Sequence, residues 1–189
     1  MVMEAIRVQY AEGAVTHSVG AVSFDTTTGQ GAFEYSPEFI RSGIELAPLT
    51  MPLAAGVYRF PQLGFATFKG LPGLIADSLP DDFGNAVLNA WVASRGKRPQ
   101  DITPLQRLQY TGKRGMGALE FAPATRLKSL NASQQVEIRA LVEIAQDILD
   151  KRSDFQVTLD QHGADDKEAM LALLSVGMSA GGARPKAVL

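Results

Sequence analysis

The chain contains no cysteine. Disulfides, cysteine-bound zinc and a thiol nucleophile are therefore excluded. Histidine is nearly as scarce. His17 and His162 are the only two, far apart in sequence and with no second histidine at metal-ligand spacing, so ordinary surface or turn positions account for them. No run of about 18 apolar residues is present for a membrane-spanning helix. Glu4, Arg7 and Glu12 interrupt the opening "MVMEAIRVQYAEGAV", which leaves no room for the apolar stretch of a secretory signal. A cytoplasmic protein is the expectation. A dominant charge of one sign is missing too. The 18 basic and 20 acidic residues leave a net charge of −2, which argues against a wholesale nucleic-acid binder and still permits a local basic patch.

What is present is enough apolar material for a real core. The chain has 189 residues, 46% of them hydrophobic, which suits one domain or two small ones. The first third reads as β structure. "EAIRVQY" alternates apolar and polar residues, "AVTHSVGAVSFD" continues the style, and "TTTGQGAFEYS" supplies a glycine turn and a short aromatic strand. Three strands joined by short turns predict an antiparallel meander or a small barrel. "SPEFIRSG" predicts a helical turn, with Ser36 as N-cap, Pro37 at the first helical position and Gly43 as terminator. "IELAPLTMPLAAGVYRF" reads as extended, with Pro48 and Pro52 confining it to edges or loops.

Beyond residue 65 the pattern turns helical. Asp81 or Asp82 can cap a helix whose Val87, Leu88, Trp91 and Val92 share a stripe, and Gly96 and Pro99 end it. "TPLQRLQYTG" predicts a second helix, capped by Thr103, with Leu105 and Leu108 inward. "KRGMGALEFAP" is a glycine-rich stretch followed by a strand. "NASQQVEIRALVEIAQDILDKR" and "DDKEAMLALLSVG" read as two further helices. There is no internal repeat and no low-complexity tract.

Three stretches invite a chemical reading. Asp77, Asp81 and Asp82 place three carboxylates within six residues, which suits a metal or acid/base site, although capping of a helix N-terminus explains the same residues. Gly112, Gly115 and Gly117 with Lys113 and Arg114 superficially resemble a phosphate loop. The stretch lacks the G-K-[ST] ending and the strand-to-helix setting, which favours a tight loop entering a strand. The C-terminal "SAGGARPKAVL" carries Ser179, Gly181, Gly182, Ala183, Arg184, Pro185 and Lys186. Paired glycines expose backbone N–H groups to an anion, and the basic side chains add charge. A frayed tail is the competing reading.

Taken in order, "GLPGLIADSLPDDFGN" (70–85), "GKRGMGALEF" (112–121) and "SAGGARPKAVL" (179–189) resemble the N-terminal part of HipA-type proteins, the serine/threonine kinase toxins of bacterial type II toxin–antitoxin systems. "GAFEYSPEFIRSG" upstream agrees. The resemblance implies an α+β fold, the N-lobe part of a HipA-like kinase. Residues 1–123 would form an antiparallel β-rich subdomain with helices near 81–95 and 103–111. Residues 124–189 would form a helical segment leading into the kinase glycine-rich loop. That loop would be Gly181, Gly182, Ala183, Arg184, Pro185 and Lys186, covering nucleotide phosphates, and Ser179 is the candidate autophosphorylated serine. Phosphate there would add negative charge within reach of Arg184. ATP and Mg are the cofactors the resemblance implies for a full-length parent, with no tight binding expected for this chain. The implied partners are a HipB-like helix-turn-helix antitoxin, with DNA reached only through it, and a protein substrate such as an aminoacyl-tRNA synthetase.

The strand lysine, catalytic aspartate and metal-binding aspartate of such a kinase are expected after the glycine-rich loop, beyond Leu189. The chain is then either an N-terminal portion of the kinase or a standalone module acting on a kinase lobe or antitoxin in trans. A generic nucleotide-binding domain is the third reading. The first two predict that residues 1–189, purified and incubated with Mg-ATP, incorporate no labelled phosphate. ATP-dependent phosphorylation of the chain or of a target would overturn that expectation.

Overall fold

The structure is a computed structural model that describes residues 3–124, apart from 94, 114 and 116. The chain divides into two units. One comprises Met1–Leu79 and Thr103–Thr125, the other Pro80–Ile102 and Arg126–Leu189.

The first unit is built on a five-stranded antiparallel sheet: β1 (Met3–Glu12), β2 (Val15–Asp25), β3 (Gln30–Tyr35), β4 (Val57–Tyr58) and β5 (Leu119–Ala122). Their order is β4-β3-β2-β1-β5. The first four make a meander, and β5 returns to lie beside β1, with Val8 opposite Phe121. The sequence left open a meander or a barrel. The sheet is an open meander with one added strand, α+β in class.

Alternation decides which face is buried. Ile6 and Val8, Val22 and Phe24, Phe33 and Tyr35, and Leu119 and Phe121 all enter the core. Ala5, Arg7, Ala21 and Glu34 stand exposed on the intervening positions. Each fully buried large apolar side chain contributes about 1.5–3 kcal/mol. Tyr35 sits at the centre of the aromatic packing. Its ring meets Phe33 edge-on at 4.9 Å and stacks on Phe39 at 5.8 Å. Its hydroxyl donates to the Met51 carbonyl at 3.0 Å. Burial, then the neighbouring Tyr58 and Glu45, raises the pKa of this phenol above the usual tyrosine value.

A bulge and a glycine set the path of β2. Opposite β1 the register shifts, with Val8 facing Gly20 and Gln9 facing Ser18, so Val19 is an extra residue. Beside the bulge lie the carbonyls of Ser18 and Val19. Ser36 satisfies both, donating its hydroxyl to Ser18 and its N–H to Val19, each at 2.8 Å. The same hydroxyl oxygen accepts from the Phe39 N–H at 3.1 Å and so caps α1 (Pro37–Ser42). Gly43 ends that helix in the left-handed region, φ 73°. A Cβ on Gly20 would stand 2.0 Å from the Glu34 carbonyl oxygen, so only glycine fits there.

The stretch from Ile44 to Phe60 corrects the extended reading. It is a chain of turns in which β4 spans two residues. Prolines at 48 and 52 remove ladder donors. Thr50 and Met51 both donate back to the Ala47 carbonyl, closing a turn instead of a strand. Next come two single-turn helices that the sequence did not announce, α2 (Phe65–Phe68) and α3 (Gly73–Ala76). Leu71 and Ile75 drop from this segment into the core.

In the second unit, α4 (Asp82–Ala93) buries Phe83, Val87, Leu88, Ala90, Trp91 and Val92. That is broader than the stripe the sequence suggests and means apolar contact around most of the helix. It stops in a Schellman arrangement. Gly96, φ 71°, donates to Ala93, and Lys97 donates to Val92. The Arg95 guanidinium lies over the Trp91 ring at 4.2 Å. A single 3-10 turn, Pro99–Asp101, comes next, with Arg98 paired through two bonds to Asp101.

The closing helix of the first unit, α5 (Pro104–Thr111), has the expected start. Thr103 and Gln106 form a reciprocal capping box with Pro104 in the first turn. Leu105 and Leu108 are fully buried.

Backbone and turn geometry make two features of the first unit testable. Gly70 has φ 78°, and a Cβ there would meet the Gly29 carbonyl oxygen at 2.0 Å, whereas Gly13, φ 60°, faces open space. Gly13→Ala is expected to cost about 1 kcal/mol, the left-handed strain alone. Gly70→Ala should cost roughly 3 kcal/mol or more as overpacking is added. Urea midpoints followed by circular dichroism compare the two, and equal losses would refute the steric account. In the β2–β3 turn, Asp25 accepts from the Thr27 N–H at 2.8 Å and the Thr28 hydroxyl at 3.1 Å. The Thr27 backbone bond is the main cause of a carboxyl pKa below the ordinary aspartate value. A depressed folded value means that the turn's gain is present above the unfolded pKa and is lost as pH falls through the folded one. A side-chain titration by NMR should find Asp25 protonating at lower pH in the folded chain than in an unstructured peptide of the same turn sequence.

Candidate functional site

Ser179 and the six loop residues Gly181 to Lys186 lie outside the described residues, as do His162 and the two helices expected after residue 130. The motifs within residues 3–124 can be placed.

The "GLPG" corner, Gly70 to Gly73, is held against the β2–β3 turn. The Gly31 N–H donates to the Gly70 carbonyl at 2.7 Å. Gly31 itself has no room for a side chain, because a Cβ would lie 2.8 Å from a Leu71 methyl. Leu71 and Pro72 are buried, and the Pro72 carbonyl accepts the first bonds of α3 from Ile75 and Ala76. This corner is a backbone-to-backbone dock, tight enough to exclude a ligand between its two strands of chain.

The three carboxylates of "ADSLPDD" have separate surroundings. Asp77 is exposed, and its N–H closes α3 on the Gly73 carbonyl. Asp81 precedes α4, and its carboxylate accepts from the Gly84 N–H at 2.7 Å, which is the N-cap bond. Asn85 fixes the approach by donating its side-chain amide to the Pro80 carbonyl at 2.6 Å. Asp82 is exposed in the first turn of α4, where a negative charge favours the helix dipole. Among the described residues, no three His, Asp or Glu side chains are grouped to hold a metal ion.

The "GKRGMGALEF" stretch leaves α5 and enters β5. Gly112 adopts φ 55°, ψ −114°, and its carbonyl accepts from the Phe121 N–H at 3.1 Å. A Cβ at Gly112 would come within 2.8 Å of the Ala124 Cβ. Lys113 reaches Glu120 on β5 at 3.1 Å, pairing an exposed ammonium with a largely shielded carboxylate. The glycines here shape a tight return into a strand, and the lysine is committed to its own loop. His17 stands opposite Tyr10 across β1 and β2, stacked on its ring at 5.9 Å with Glu12 at 3.9 Å. It is a cross-strand surface residue.

One polar node had no signal in the sequence. Glu4 on β1 accepts from the Thr103 hydroxyl at 2.6 Å and from the Gln106 side-chain amide at 2.8 Å. The Thr103 N–H donates to Gln106 and the Gln106 N–H donates to Thr103, at 3.1 and 3.2 Å. The carboxylate thus completes the capping box and ties the first strand to a helix about a hundred residues later. "TPLQ" announces the box, but nothing local announces Glu4. On α5, Arg107 is partly buried, and that burial holds its pKa below the usual arginine value.

These geometries assign the described motif residues to caps, turns and close backbone approach. A model of the family of HipA N-terminal domains matches residues 14–122. No curated protein and no solved structure matches the chain.

The capping role of Asp81 can be tested directly. Asp81→Ala should lower stability by about 1 kcal/mol, while Asp81→Asn, an equally good cap, should leave it nearly unchanged. Trp91 fluorescence reports on α4. Stabilisation of the wild type by a divalent ion, lost in Asp81→Asn, would instead indicate a metal role.

Proposed function

The chain belongs to the HipA N-terminal domain family, and from that premise we propose that it is the N-terminal portion of a HipA-type serine/threonine kinase toxin. The observation that carries the reading is the family match over residues 14–122, joined in the same chain to "SAGGARPKAVL" at 179–189.

In this reading the sheet unit is the supporting subdomain of the kinase, and phosphoryl transfer belongs to a separate catalytic lobe. Gly181, Gly182 and Ala183 offer backbone N–H groups to the β- and γ-phosphates of ATP. Arg184 and Lys186 supply positive charge, and Pro185 stiffens the loop. Mg would be held by carboxylates of the catalytic lobe and would neutralise charge on the transferring phosphoryl group. Ser179 lies two residues before the glycine pair, so its phosphorylation would place a dianion where the ATP phosphates must sit and would compete for Arg184. The substrate would be a translation protein such as an aminoacyl-tRNA synthetase. A HipB-like helix-turn-helix antitoxin would neutralise the kinase and carry its contact to DNA. Among the described residues, no helix is long and apolar enough to cross a membrane.

The second reading is a standalone module that binds a kinase lobe or an antitoxin in trans. The exposed open face of the sheet, with Arg7 and Glu34 on it, gives such a module a surface.

The test combines nucleotide and partner binding. Calorimetry of residues 1–189 with Mg-ATP is expected to give weak or no binding, because the loop supplies only part of the phosphate contacts. A HipB-like antitoxin encoded beside this gene is expected to bind. In a chain extended through the catalytic lobe, Arg184→Ala should raise the KM for ATP, and Ser179→Ala should abolish self-phosphorylation at the loop. A micromolar ATP constant for 1–189 alone would refute the division of labour. An extended chain with no kinase activity on itself or any synthetase would refute the kinase reading.

A further inference from the structure

We draw no further inference here: the strongest candidate, the open face of the sheet on which Ala5, Arg7, Ala21 and Glu34 stand exposed, carries nothing because nothing in the structure shows what covers it.

Discussion

The approach of two backbones at Gly29 and Gly70 is the constraint on which the first unit depends. Both residues have positive φ, 69° and 78°. A side chain on Gly70 would overlap the Gly29 carbonyl. The contact matters because it fixes the backbone where Leu71 and Ile75 turn into the core. The segment from Arg59 to Leu79 contains no element longer than four residues, so its own helical hydrogen bonds cannot fix its position. The bond from Gly31 to the Gly70 carbonyl gives β3 a partner where β4 is too short to provide one. It also sets Leu71 and Ile75 over the core. The burial of Leu71 and Ile75 then holds the rest of this stretch in place.

A second node works by the same logic on the neighbouring strand. Beside the bulge at Val19, the Ser18 and Val19 carbonyls take donors from just beyond the end of β3. Ser36 supplies them and at once caps α1. One hydroxyl therefore links a strand irregularity to a helix start. Gly20 allows β3 to come close enough for the arrangement. The Glu4 node does the equivalent for α5, with a carboxylate saturating the polar groups of a capping box. In each case a polar group near the end of one element is satisfied by an element distant in sequence.

The reach of each interaction explains how much of the structure was legible in the sequence. The three N-terminal strands, the Ser36–Pro37 start, Gly43, the Thr103 cap and the Gly96 stop obey rules that act over four or five residues, and each stands in the structure as read. The pairing of β1 with β5 and the role of Glu4 depend on contacts across about a hundred residues, and the bulge on a register shift between paired strands, none of which periodicity encodes. The region from Ile44 to Phe60 misled because apolar residues there look strand-like. Its prolines remove ladder donors, the Ala47 carbonyl takes the N–H groups of Thr50 and Met51, and only Val57 and Tyr58 pair with β3. The candidate chemistry was legible only as pattern. Asp81 and Gly112 have structural tasks, while Ser179 and Gly181 to Lys186 fall outside the described residues.

Several positions of "GLPGLIADSLPDDFGN", one of the stretches that carry the family resemblance, therefore have folding tasks. Gly70 permits a close approach, Leu71 and Ile75 fill the core, Pro72 starts α3, and Asp81 caps α4. Such residues are fixed by sterics and hydrogen bonding whatever the protein binds. A Cβ at Gly70 is excluded by a carbonyl oxygen of the same chain, not by a ligand. Exposed positions such as Arg7, Ala21 and Glu34 carry no such restriction, since no core contact dictates their side chains. If domains of this architecture choose different partners, the choice must be written in positions of that second kind. Fold and partner are then specified by separate sets of residues, and a residue fixed by the fold is for that reason silent about what is recognised.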